Sequence, residues 1–220
     1  MRCKLVIFDL DGTLADTIAD LGAAANEALK AKGLPLHGPE EYRGMVGHGV
    51  RNLLQRAMPE TLRGDTQLLN ELLTHFLAYY IDHIDVHTRP YPGVPELLAA
   101  LDAAGVKLAV ASNKFQAGTE RLVRRLFPQI PFAAILGGQD GRPLKPDPAV
   151  LHEILARTGF APGEDVMVGD SGTDIATAAA AGIPSVAVTW GFRPREALSA
   201  AGRIAETAGE LLRILLPEGR

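Results

Sequence analysis

At 220 residues, with 47% hydrophobic and 22% charged side chains, the chain suits one large soluble domain or a core carrying a smaller inserted one. A formal net charge of -4, with no block of five or more like charges, argues against nucleic acid or an anionic membrane as the main partner. The single cysteine, Cys3, excludes an internal disulfide, and no stretch reaches the roughly 18 uncharged apolar residues of a membrane helix. Asp9 and Asp11 interrupt the first apolar run too early for a signal peptide, so a cytoplasmic protein is expected.

Leu5, Val6, Ile7 and Phe8 read as a buried parallel strand that runs into Asp9 and Asp11. Strand side chains alternate, so these two carboxylates point the same way and repel each other. Either a positive charge lies between them or one holds a proton. Residues 15 to 90 then follow helical spacing. Ile18, Leu21, Ala25, Ala28 and Leu29 share a helix closed by Gly33, a second helix starts near Val50, and "LLNELLTHFLAYYI" gives a third. The Pro-rich "HTRPYPGVP" leads out, with tethers near Ala15–Thr17 and Thr88–Pro92.

From Lys107 onward strands alternate with helices. "KLAVAS", "AAIL", "DVMVGD" and "PSVAVT" are strand candidates, and helices are expected around 95–104, 116–126, 148–158 and 173–181. Gly105, Gly159 and Gly182 fall where helices end, and Pro95 and Pro148 where they begin. "RIAETAGELLRILL" reads as a terminal helix. The expected fold is a doubly wound parallel α/β sheet, Rossmann-like, formed by residues 1–14 and 91–220, with an all-helical domain of residues 15–90 inserted after the first strand.

Three predicted strands end in polar residues: Asp9 with Asp11, Ser112 with Asn113, and Asp170. Ligands of open α/β sheets bind at the carboxyl ends of strands, so these residues should share one crevice. Lys145 in "PLKPDP" and Asp174, four residues after Asp170, belong to the same candidate set. Singly, each residue reads equally well as a helix cap or a turn residue; the combination carries the chemistry. Asp9, Asp170 and Asp174 make a hard oxygen cluster suited to Mg²⁺ and poor for zinc. Lys145, Ser112 and the backbone N–H groups that follow, Asn113 first, can grip phosphoryl oxygens. A carboxylate nucleophile at Asp9 needs no activating base, and Asp11 can protonate the leaving alkoxide and then deprotonate water.

"DLDGTL", "VASN", "LKPDP" and "VGDSGTD" resemble, in order, the four motifs of the haloacid dehalogenase superfamily, and the resemblance covers essentially the whole chain. It implies Asp9 as nucleophile, Asp11 as acid/base, and Mg²⁺ held by the Asp9 carboxylate, the Asp11 backbone carbonyl and Asp170, with Asp174 in support. Ser112 stands at the family's Thr/Ser position and Lys145 at its lysine. The helical insertion is similar to the family's cap, with a hinge at Ala15–Thr17. Within the superfamily the dehalogenases lack the second Asp and the ion pumps carry Thr there, so Asp11 points to phosphate esters. "DTIADLGAAANEALKAKGLP" and "GMVGHGVRNLLQRAM" resemble the first cap segments of phosphoglycolate phosphatases. That likeness makes Gly47–Arg51 the specificity loop, with Gly47, His48 and Arg51 as candidate substrate contacts.

The resemblance implies a Mg²⁺-dependent phosphatase of a small phosphorylated metabolite, 2-phosphoglycolate first, working as a monomer or homodimer through an aspartyl-phosphate. A sugar-phosphate phosphatase or a pyrophosphatase would use the same core residues. A β-phosphoglucomutase-like enzyme would carry a His in the first cap helix, where Ile18 to Leu29 has none. A binding module without turnover would be expected to have lost a motif residue, and none is lost. Blander roles are expected elsewhere. Asp16 and Asp20 read as first-turn helix charges, Asp147 as a helix cap, and Trp190 and Phe192 as packing over the sheet edge.

Overall fold

The computed structural model describes residues 3–160 and 163–217. It divides into two compact units, Met1–Asp16 with Pro90–Arg220, and Thr17–Arg89. The chain runs through β1 (Leu5–Phe8) and the two-residue β2 (Ala15–Asp16) into α1 (Ile18–Ala31), α2 (Pro39–Met45), α3 (Val50–Ala57) and α4 (Thr66–His83). It returns along β3 (Arg89–Pro90), which pairs with β2 in a short ribbon. Strands and helices then alternate: α5 (Val94–Ala103), β4 (Lys107–Phe115), α6 (Gln116–Leu126), β5 (Ala134–Gly138), α7 (Ala149–Thr158), β6 (Asp165–Gly169), α8 (Gly172–Ala181), β7 (Ser185–Val188), β8 (Arg203–Ala205) and α9 (Ala208–Leu215).

The main sheet has the order β5-β4-β1-β6-β7-β8, and every pairing in it is parallel. This is the doubly wound, Rossmann-like sheet expected from the alternation. All four residues of β1 are fully buried, as a strand covered on both faces requires. On one face Leu5 and Ile7 join Ala109, Ala111 and Met167 against Leu151 and Ile154 of α7. Chain order reverses beside β1: the path first builds outward through β4 and β5, then crosses to β6, β7 and β8. Phe8 is level with Val110 of β4 and Val168 of β6. The residues just beyond these three therefore emerge together at the carboxyl edge, at the switch point where open α/β sheets bind ligands.

Two elements differ from expectation. Arg203–Ala205 is a strand parallel to β7, and the terminal helix begins only at Ala208, where the Thr207 side chain accepts from Glu210 N and caps it. The segment read as one helix thus contains the sheet's edge strand. In the helical unit, α2 was not expected: it is a single short stretch started by Pro39, with the Glu41 side chain reaching back to Gly38 N. Asn26 of α1 holds that region by a two-way bond to the His37 backbone and by accepting the Tyr42 hydroxyl.

Asp16 falls in β2 and not in a helix, while Asp20 lies in the first turn of α1 as expected. It is buried in the helical unit, and its carboxylate accepts from His87 N, Thr88 N and Thr88 Oγ1 at 2.8–3.0 Å. One side chain thereby fastens the start of α1 to the segment that leaves the unit. No helix among the described residues is long and apolar enough to cross a membrane.

Asp20→Ala strands two backbone donors and a hydroxyl in a buried place. We expect a loss of about 3 kcal/mol, read by urea denaturation, since each unsatisfied buried group costs roughly 1–3 kcal/mol.

Candidate active site

The core residues singled out in the sequence converge. Asp9 follows β1, Ser112 and Asn113 lie near the end of β4, Asp170 follows β6, and Asp174 lies in the first turn of α8. Lys145 comes from the loop before α7, and its buried ammonium reaches Asp9 Oδ1 at 2.9 Å, Asp174 Oδ1 at 2.6 Å and the Ala111 carbonyl at 2.8 Å. Those three partners match the three N–H groups of an ammonium, so a phosphoryl oxygen would have to share the donor now on Asp9. Burial works to lower the Lys145 pKa, but Asp174 and Asp9 hold it above the usual lysine range.

Each contributor is fixed by its neighbours. The Asn113 side chain donates to the Lys145 carbonyl at 2.9 Å and accepts from Lys145 N at 2.8 Å. Its amide thus holds the lysine loop from both sides. The Ser112 hydroxyl accepts from Lys114 N at 3.2 Å, which leaves its own O–H to donate elsewhere. Asp174 closes a capping box with Ser171, accepting the Ser171 hydroxyl at 2.6 Å while its other oxygen holds Lys145. Both Asp174 oxygens therefore have protein donors, which suits a supporting role.

Carboxylate oxygens of Asp9, Asp170 and Asp174 all lie within 4.8 Å of one another. Burial pushes Asp9 up to about 8, opposed by Lys145 and reinforced by Asp174, Asp170 and Asp11. Burial, with Asp174, pushes Asp170 up to about 7, against the Phe192 N–H, Arg193 and Lys145. Three buried carboxylates thus share the Lys145 ammonium and the charge of Arg193, a deficit of positive charge that an added cation relieves. The donors are all oxygens, as a hard divalent ion such as Mg²⁺ prefers, so the residues fit that ion.

Several residues that sequence reasoning passed over shape this pocket. Thr13 Oγ1 donates to Asp170 Oδ1 at 3.4 Å, and Phe192 N donates to Asp170 Oδ2 at 2.7 Å. Trp190 donates its indole N–H to the Thr13 carbonyl at 3.0 Å. Trp190 and Phe192 therefore brace Thr13 and Asp170, where packing over the sheet edge was expected. Gly12 has φ +89°, and a methyl there would overlap the Asp170 carboxylate; one on Gly191 would overlap Asp170 Cβ and the Gly12 carbonyl. Lys114, two residues beyond Ser112, pairs with both oxygens of Asp11 at 3.0 and 3.2 Å. The alternation of a strand could have flagged Lys114; nothing local to "TWGF" announces its bond to a loop 177 residues away.

Gly47, His48 and Arg51 belong to the helical unit, at the start of α3. Gly47 and Gly49 have φ of +114° and +82°, and Arg51 donates to Asn70 Oδ1 of α4 at 2.5 Å. Asp147 was expected to cap α7, but Pro148 holds that position and Asp147 lies one residue before it, accepting from Ala149 N at 2.9 Å in a local turn.

The bracing by residues 190–192 has a measurable weight. We expect Gly191→Ala to destabilise by about 3 kcal/mol through overlap, and Trp190→Phe by about 1 kcal/mol through one lost hydrogen bond. Thermal melts should rank them in that order.

Known proteins resemble this arrangement as a whole. The haloacid dehalogenase-like hydrolase family matches residues 6–188. A phosphoglycolate phosphatase of Mesorhizobium japonicum is 42% identical over 196 residues, covering 89% of this chain and 86% of that protein. One from Neisseria meningitidis is 39% identical over 201 residues, covering 89% of this chain and 84% of that protein. The crystal structure of a predicted phosphoglycolate phosphatase from Haemophilus somnus superposes with a TM-score of 0.90 at 30% identity, covering 98% of this chain and 99% of that one. With Asp9, Lys145, Asp170 and Asp174 gathered at the switch point of the sheet, the chain belongs to the haloacid dehalogenase-like hydrolases.

Proposed function

We propose that this protein is a Mg²⁺-dependent phosphomonoesterase that hydrolyses 2-phosphoglycolate to glycolate and phosphate through an aspartyl-phosphate. The observation that carries the reading is Asp9 itself: a buried carboxylate at the switch point, with Lys145 at 2.9 Å and two further carboxylates beside it. The phosphoglycolate phosphatases among its relatives support the choice of substrate.

In this reading the cation is held by the Asp9 and Asp170 carboxylates and the Asp11 backbone carbonyl, with Asp174 in support. Bound there, it supplies the positive charge that keeps Asp9 ionised and lessens its repulsion from a phosphate dianion. The Ser112 hydroxyl donates to a phosphoryl oxygen, and the Lys145 ammonium holds Asp9 in line with phosphorus. An Asp9 oxygen attacks phosphorus, the P–O bond to the leaving group breaks, and Asp11 gives that alkoxide a proton. Asp11 then takes a proton from water, the resulting hydroxide attacks phosphorus, and the bond to Asp9 breaks to release phosphate.

Phosphate release should be measured from 2-phosphoglycolate, β-glucose 1-phosphate and pyrophosphate, with Mg²⁺ and with EDTA, beside Asp9→Asn. We expect 2-phosphoglycolate to lead, EDTA to abolish release, and Asp9→Asn to lower kcat by roughly a thousandfold or more. Release led by another ester would overturn the substrate but keep the mechanism. Undiminished turnover by Asp9→Asn would overturn the mechanism.

A further inference from the structure

Asp11 has a second partner to leave before it can act. Both of its oxygens rest on the Lys114 ammonium, at 3.0 and 3.2 Å, and the two side chains are only 12% and 2% exposed. A charge-assisted pair this sheltered is stronger than a surface ion pair and is not broken without a replacement. Lys145 is no such replacement, because its three N–H groups face Asp9, Asp174 and Ala111. Lys114 is thus a second ammonium at the same strand ends, paired with Asp11.

On the phosphatase reading above, Asp11 must meet the ester oxygen. In 2-phosphoglycolate one methylene separates that oxygen from a carboxylate. A carboxylate so close to Asp11 comes within a few ångströms of an ammonium already touching Asp11. We infer that Lys114 is a specificity residue of the α/β unit: it receives an anionic group carried one carbon from the ester oxygen, and in doing so gives up Asp11. The incoming carboxylate takes the place of the Asp11 carboxylate on Lys114, so the ammonium keeps an anionic partner throughout. Released from the ammonium, Asp11 takes a proton from solvent and turns to the ester oxygen as the acid. An ester whose leaving group is neutral leaves Asp11 where it is, and so reacts slowly even when its phosphate is correctly bound.

The test compares kcat/KM for 2-phosphoglycolate and for ethylene glycol monophosphate, which carries CH₂OH in place of the carboxylate. The measurements are made with Mg²⁺ on the wild type, Lys114→Met, Lys114→Gln and Lys114→Arg, with circular dichroism to verify folding. A charged hydrogen bond is worth roughly tenfold to a hundredfold, so the wild type should prefer 2-phosphoglycolate by at least about that factor. In Lys114→Met and Lys114→Gln the ratio should fall about tenfold or more, with kcat for 2-phosphoglycolate falling as well as KM rising. Lys114→Arg, which keeps the charge, should retain part of the ratio. A ratio that Lys114→Met and Lys114→Gln leave unchanged, both esters slowing together, would overturn the inference and make Lys114 a support for Asp11 alone. A wild-type ratio near one would overturn it without any variant. No release from either ester by the wild type would instead sink the phosphatase reading, a different result from either.

Discussion

The ammonium of Lys145 is the contact on which the rest of the site depends. Three carboxylates, from β1, from the end of β6 and from the first turn of α8, are buried close together, and like charges in a dry place disfavour one another. Lys145 joins two of them, and it would itself be costly to bury without them. Each partner therefore makes the burial of the other tolerable. The Asn113 amide adds the needed geometry, because it grips the Lys145 backbone on both sides and so fixes where the side chain starts. Four stretches far apart in sequence are tied through one nitrogen atom, and the arrangement still leaves more negative than positive charge, which is what a site for a hard cation requires.

What brings those stretches together is the register of a parallel sheet. Phe8, Val110 and Val168 lie level, so the polar residues following each strand emerge side by side without any of them having to seek the others. Strand ends alone leave side chains loosely aimed, and the remaining precision comes from the loops. The Asp11 to Ala15 turn wraps around the Leu10 carbonyl, and the 190–192 segment closes over Asp170 from the other side. Gly12 and Gly191 are small because Asp170 lies against both.

Much of this was legible beforehand. The alternation of strands and helices announced the doubly wound sheet, and the polar residues at strand ends announced the edge where they meet, because both follow from local periodicity. The elements that escaped depend on distant partners. Arg203–Ala205 pairs with the edge of β7, and a three-residue strand with one β-branched side chain, Ile204, is too short to announce itself. Asp20 read as a first-turn helix charge and nothing more, because its three donors come from residues 87 and 88. The bracing by Trp190 and Phe192 was hidden for the same reason, with partners 177 and 22 residues away. Lys114 was nearest to being readable, since it shares a strand with Ser112, but its partner Asp11 is 103 residues away.

The ribbon formed by β2 and β3 has a consequence for how such a chain can change over time. Outgoing and returning segments lie side by side, so everything from Thr17 to Arg89 is spliced into the α/β unit at a single point on its outline. Among the described residues the strands of the main sheet pair only with one another. A lineage can therefore lengthen, shorten or replace that insert through two neighbouring junctions while the order and register of the sheet are inherited unchanged. The sheet and its insert are in this sense separate passages of one gene, joined at one seam.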